Sequence, residues 1–302
     1  MEYDVIISKL NKGEKLYHYT SATGLMGVCN GEFWVTEKSF LNDNMEFAIA
    51  SEAFSELLTE KIQDEQSRNH FKEAIMKEMQ LYNLLGCSNN EESSEGWYVL
   101  SFCTEKDSIL MWSQYSEFVG YCMEFDYERF IDSLKQYIIQ WHGKVIYNRN
   151  EQKDYIERTI QKLILEEPKY YSGIHSWKDL VAEVNKNNKE IISFIATILA
   201  VYSMFFKKSC FEGEKEYRIV FACTHNGPIG EKTKLQENQF FRVKEEVLIP
   251  FIKREFDVSQ SLESILVGPK NNSDLAVKGL QYFFRNKKMN VEIDKSKIPL
   301  RY

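Results

Sequence analysis

Two carboxylates and a guanidinium recur at alternate positions in the stretch 211–221, "FEGEKEYRIVF": Glu214, Glu216 and Arg218. On a strand, positions i, i+2 and i+4 line one face, so the three side chains are expected together. Crowded carboxylates raise the pKa of one of the pair unless a cation intervenes, and Arg218 is available as that cation. The plain alternative is a solvated edge that alternates Lys, Glu and Arg. Against it, the strand runs on into "IVFAC", and a charged triplet at the mouth of a buried strand is where sites often sit.

A second candidate lies near the start, in "LYHYTS" (16–21). Strand alternation puts His18 and Thr20 on one face and Tyr17 and Tyr19 on the other. The reading assigns His18 and Thr20 to a pocket wall and the tyrosines to packing. A core histidine whose ring nitrogens meet the backbone is the competing reading. A third candidate is "VLSFCTEKD", where Ser101 and Cys103 line one face. Asn42, Asp43 and Glu46 in "FLNDNMEF" read first as helix capping.

The phosphate loop, the dinucleotide fingerprint, the nucleophile elbow and the zincin motif are all missing, and His and Cys never take metal-ligand spacing, so no metal is expected. A formal charge of −7 without a Lys/Arg block disfavours nucleic acid as a partner of the whole surface. The cysteines at 29, 87, 103, 122, 210 and 223 are scattered, which reads as a reduced, cytoplasmic protein. The apolar run 191–206 falls short of the ~20 residues of a membrane span and reads as a buried core helix, with no membrane partner.

These residues need elements to hold them. The order is strand ("LYHYTS"), short helix capped by Thr20 or Ser21 and ended by Gly31, then strand ("EFWVTE"). A long helix capped by Asn42, Asp43 or Asn44 follows, then an acidic loop at 87–96. Strands are expected at "WYVLSFCTE", "GYCMEFD", "GKVIYN" and "EKEYRIVFACT", with a short helix capped by Asp107 after the first. Residues 151–208 are almost all helical in pattern, and 264–294 read as a β-α-β unit. The expected fold is one α+β domain over 1–302: a mixed or antiparallel β core with helical segments at about 45–86 and 151–208 packed on it.

Taken in order, "YHYTS", "GLMGVCNGEFWVT", "FLNDNMEF", "LSFCTEKDSILMWSQYSEFVGYCMEFD", "VIYN", "FEGEKEYRIVF", "ILVGPK" and "SKIPLRY" resemble the bacterial domain-of-unknown-function family 2971. More distantly the chain resembles the ADP-ribosyltransferases. That likeness implies a split β core, NAD as substrate and His18 with Thr20 as the first motif. It makes Ser101 a degraded second motif and Glu214-Lys215-Glu216 the third. Glu216 would be the catalytic carboxylate, Glu214 would orient the acceptor, and Arg218 would stand with the nucleotide-binding residues. Tyr19, Trp34 or Tyr115 would stack on the nicotinamide ring. The acceptor, protein or nucleic acid, is left open, as is a role in phage defence or as a toxin. Two other readings stand beside this one: a non-enzymatic module binding a nucleotide or a partner, and a nuclease-type toxin using His18 with Glu214 or Glu216.

Overall fold

The computed structural model describes residues 5–41, 46–85, 95–166, 171, 173–224, 238–271 and 273–300. The caps expected at Asn42, Asp43 and Asn44 lie outside these residues, as does most of the acidic loop. The chain opens with β1 (Lys15–Thr20), α1 (Ala22–Val28) and β2 (Glu32–Glu37). Of the two caps open for α1, Ser21 is the one used: its hydroxyl accepts from Gly24 N at 3.2 Å. Gly31, at φ +86°, turns the chain into β2 in a conformation that a side chain would strain.

Helices α2 (Glu46–Lys61) and α3 (Glu65–Leu85) come next. They lead to β3 (Glu95–Cys103), α4 (Ile109–Ser116), β4 (Tyr121–Asp126), α5 (Tyr127–Ser133) and β5 (Ile139–Lys144). The strand expected at "GKVIYN" is therefore displaced: the ladder ends at Lys144, and Ile146 keeps a single bridge to Phe206. Helix α6 (Arg149–Ile160) runs into a π-helical turn at Gln161–Glu166, followed by α7 (Trp177–Asn185) and α8 (Lys189–Tyr202).

The helical pattern expected to reach residue 208 stops at Tyr202. Beyond it the chain turns back beside Ile146, whose N–H donates to Phe205 O at 2.8 Å while Lys207 N donates to Ile146 O. Helix α8 is apolar on almost every side because it is enclosed: α2, α3 and α6 share one core with it, together with Val99 of β3. Among the described residues no helix is long and apolar enough to cross a membrane.

The remaining elements are β6 (Glu216–Thr224), β7 (Phe240–Lys244), β8 (Val247–Glu255), α9 (Val258–Ser261), β9 (Leu262–Val267), α10 (Ser273–Asn286) and β10 (Glu292–Lys295). The expected β-α-β unit is present as β9-α10-β10, with the two strands parallel. The sheet order is β10-β9-β4-β1-β3-β2-β8-β7, with β6 on the other edge of β3 and β5 beyond it. All pairs but β9–β10 are antiparallel, so the protein is α/β in content with an open mixed sheet.

One junction in this sheet is thin. Strands β1 and β3 meet at a single pair, Tyr17 with Cys103, although β1 pairs with β4 along its whole length and β3 with β6 likewise. Strand β2 takes up the same edge of β3 only at Val99 and Tyr98. Between these contacts, Leu100–Phe102 face a gap.

Candidate functional site

The gap is filled from one side by His18. Its ring lies beside the backbone of Ser101. It stands edge-on to Phe33 (5.2 Å between ring centres) and Phe102 (5.9 Å), at the border of an aromatic cluster that also holds Phe125, Phe130 and Phe256. Burial pushes the imidazole down to about 4, so His18 is neutral at pH 7.

The other side of the gap is a cavity of about 60 Å³. Paired residues on neighbouring strands share a face. The registers Tyr17–Cys103, Cys103–Glu216 and Ser101–Arg218 therefore set Tyr17, Ser101, Cys103, Glu216 and Arg218 on one side of the sheet. Tyr19 joins them two residues on from Tyr17. The cavity is lined from this side by Tyr17, Tyr19, Ser101, Cys103, Glu214 and Glu216, with His18 and Phe102 reaching it from the gap. Helix α4 closes it with Met111 and Tyr115, four residues apart on one helical face.

The tyrosines of "LYHYTS", expected in packing, line the cavity, and His18, expected in a pocket wall, reaches it with its ring among the phenylalanines. Cys103 decides this, because its register with Tyr17 fixes which face of β1 meets α4. Thr20 does not line the cavity; its hydroxyl lies against α1, where a Cβ on Gly24 would come within 2.0 Å of it. Trp34 is elsewhere. It is 48% exposed on β2, stacked on Phe251 of β8 at 4.5 Å.

Glu214 is not on a strand. It ends a 3₁₀ turn (Ser209–Glu214), and Lys215, at φ +44°, reverses the chain before β6 begins. Glu214 and Glu216 nevertheless converge on one ammonium. Lys207 Nζ lies 2.7 Å from Glu214 Oε2 and 2.9 Å from Glu216 Oε2. Arg218 adds Nε to Glu216 Oε1 and also donates Nη1 to Met204 O at 2.6 Å. All four side chains are buried. Burial alone would raise the Glu216 pKa; Arg218 and Lys207, with the Ser101 hydroxyl, outweigh it and hold the carboxyl at about 2. The Glu216 N–H donates to the Tyr147 hydroxyl at 2.9 Å. Arg218 serves this network and does not line the cavity.

Lys207 and Tyr147 have no place in the sequence reading. The signal for Lys207 was a charge count, since two buried acids beside one arginine leave a carboxylate in need of a cation. Cys103 is no nucleophile here: burial pushes its thiol up to about 12.

The helix over the cavity is held at its start by Asp107, which was expected to cap it. Ser108 takes the cap position, without a side-chain bond. Asp107, at φ +62°, accepts from Trp112 Nε1 (2.8 Å), Ser296 Oγ (2.5 Å) and Lys297 N (2.9 Å). It thereby ties the segment after β10 to α4, and Ile298 packs on the cluster of Tyr19, Cys103, Met111 and Trp112. Among the described residues no group of three His, Cys, Asp or Glu side chains could hold a metal ion.

Neither the curated proteins nor the solved structures include a significant match to this chain. A family model does match, over residues 111–219, the span from α4 into β6 that carries Tyr115, Lys207 and the Glu214–Arg218 cluster. Over that span the chain is similar to the family described as protein of unknown function (DUF2971).

Proposed function

We propose that the chain is an ADP-ribosyltransferase-like enzyme that cleaves the nicotinamide–ribose bond of NAD. The observation that carries this reading is the meeting of His18, Ser101 and Glu216, from β1, β3 and β6, around one cavity at a gap in the sheet. The Ser101 hydroxyl bonded to Glu216 is the support that such a carboxylate needs.

In this reaction the bond from ribose C1′ to nicotinamide N1 breaks, and its electron pair leaves with nicotinamide. The ribose takes on oxocarbenium character until an acceptor oxygen or nitrogen bonds to C1′ and gives up its proton to water. Glu216, ionised at every pH above about 2, supplies fixed negative charge to that transition state. So low a pKa makes it an electrostatic stabiliser and a poor proton acceptor. Neutral His18 and the Tyr17 hydroxyl offer hydrogen bonds without charge, while the Tyr19 hydroxyl donates to Glu105 O and accepts from Ser108 N. The cavity is far below the ~300 Å³ at which small-molecule sites begin. Substrate entry on this reading requires α4, with Met111 and Tyr115, to swing outward.

The closed, charge-balanced network of Lys207, Glu214, Glu216 and Arg218 favours a second reading, a binding module without turnover. Incubation with NAD separates the two. The enzyme releases nicotinamide, and the release is lost in Glu216→Gln. Ligand-dependent stabilisation without release supports the module, and no response to NAD at all overturns the NAD assignment.

A further inference from the structure

Helix α4 is held differently at its two ends. Its C-terminal end is tied to the loop after β9: Lys270 N donates to Phe118 O and Gly268 N to Gly120 O, each at 2.9 Å. Asn271 Nδ2 adds a bond to Val119 O at 2.7 Å. Its N-terminal end rests on two side chains. The Tyr19 hydroxyl accepts from Ser108 N at 2.8 Å, and the Asp107 carboxylate accepts from Trp112 Nε1 at the same distance.

Asp107 is shared with residues 296–300, which follow β10 without regular structure. Ser296 Oγ donates to its Oδ1, the oxygen that also meets Trp112, and Lys297 N donates to Oδ2. The Ser296 hydroxyl accepts from Ile298 N at 3.2 Å, and Ile298 packs on the cluster of Tyr19, Cys103, Met111 and Trp112. A residue other than glycine at positive φ is strained, and it persists where its surroundings over-determine it. Asp107, at φ +62°, stands before α4, and Glu117 and Phe118, at +51° and +66°, stand after it. The bonds from Ser296 and Lys297 are part of what fixes Asp107.

We infer that residues 296–300 are an autoinhibitory latch, which holds the N-terminal end of α4 down over the cavity and whose release lets the helix pivot at Glu117–Phe118. The inference rests on the proposed function in taking this cavity as the site, and it does not depend on NAD being the molecule admitted. The cavity, about 60 Å³, is closed by Met111 and Tyr115 of α4, so a small molecule enters only if the helix moves. The pivot end stays tied to the loop after β9, which leaves the N-terminal end as the one that lifts. Detaching the latch breaks no strand pairing, because the ladder of β10 ends at Lys295. Without the latch, Asp107 can return to an ordinary conformation, which changes the direction in which the chain enters α4. By linkage, a molecule that binds the detached segment favours the open cavity, and one bound in the cavity favours detachment.

Cys103 reports the motion, because it lines the cavity beneath α4 and is fully buried. The test is labelling of the purified full chain with N-ethylmaleimide, followed cysteine by cysteine by mass spectrometry. Ser296→Ala combined with Ile298→Ala should raise the Cys103 rate about tenfold, the effect of one lost hydrogen bond to a charged group on an opening equilibrium. Ser296→Thr keeps the hydroxyl and should label like wild type. Cys29, at the end of α1, and Cys223, in β6, are buried away from α4 and should keep their rates. An unchanged Cys103 rate in the double variant overturns the latch. A rise shared by Cys29 and Cys223 overturns it as well, since the whole fold has then loosened. Nicotinamide release, measured on the same samples with NAD, should rise with Cys103 labelling. Its absence from both proteins counts against NAD as the substrate, and the labelling still decides the latch.

Discussion

Arg218 grips Glu216 from two residues away on the same strand, with Nε at 2.8 Å from Oε1 and Nη2 at 3.0 Å from Oε2. With Lys207 and Glu214 this makes two positive and two negative charges at the end of β6 nearest α4. Buried pairs of this kind are weak stabilisers when intact and costly when halved, because the remaining charge has lost its water and its partner.

Arg218→Met is therefore expected to destabilise the fold by about 3–5 kcal/mol. Urea unfolding should show a lower midpoint with an unchanged slope. An unchanged midpoint would mean that the carboxylates are held by Lys207 alone.

Glu216→Gln is expected to abolish nicotinamide release on the proposed reading, but it also removes one charge from the balanced set. Its thermal midpoint should fall, so its activity must be assayed well below that midpoint. Ser101→Ala, which takes away one hydrogen bond to a charged group, should cost about tenfold in release rate. Trp34→Ala, on β2 and outside the cavity lining, should leave the rate unchanged. Loss of release in Trp34→Ala would move the site.

The acid dependence of stability has a definite sign. His18 is held down to about 4 against an ordinary 6.5. Below pH 6.5 the unfolded chain takes up a proton there that the folded chain refuses until about pH 4. Stability that is full above pH 6.5 is thus lost as the pH falls to 4, by on the order of 3 kcal/mol. His142, also held down to about 4 by burial, acts in the same direction. His18→Asn should flatten this part of the stability profile; a slope equal to wild type would mean that His18 does not contribute.

Asp107→Ala removes the acceptor of three hydrogen bonds and should cost about 1–3 kcal/mol. The amides of α4 should exchange faster than in wild type, and Trp112 fluorescence should change. If α4 exchange is unaltered, the helix is held by the packing of Trp112 on Tyr19 alone.

Local elements were legible in the chain where their punctuation is local. Ser21 and Gly31 bound α1, and the apolar spacing of α10 between two strands marks the β-α-β unit. The site was legible in part, since His18, Tyr19, Ser101, Tyr115, Glu214 and Glu216 do gather on one cavity. What could not be read depends on partners distant in sequence. Asp107 looks like a cap until Ser296 and Lys297 arrive from the far end of the chain. Lys207 looks like the polar flank of an apolar run until β6 brings the glutamates to it. Trp34 offered a large flat ring, but ring type carries no information about which strands its own will lie beside.

The single Tyr17–Cys103 pair has a consequence for how the molecule comes apart. Strands β10, β9, β4 and β1 form one ladder, and β5, β6, β3, β2, β8 and β7 form another, stitched at one point. Each ladder can open as a cooperative block of its own, with protection from exchange differing between blocks and nearly uniform within them. The cavity lies on the seam, so an outward swing of α4 opens it where the two blocks are joined by one pair, leaving the hydrogen bonds inside both intact.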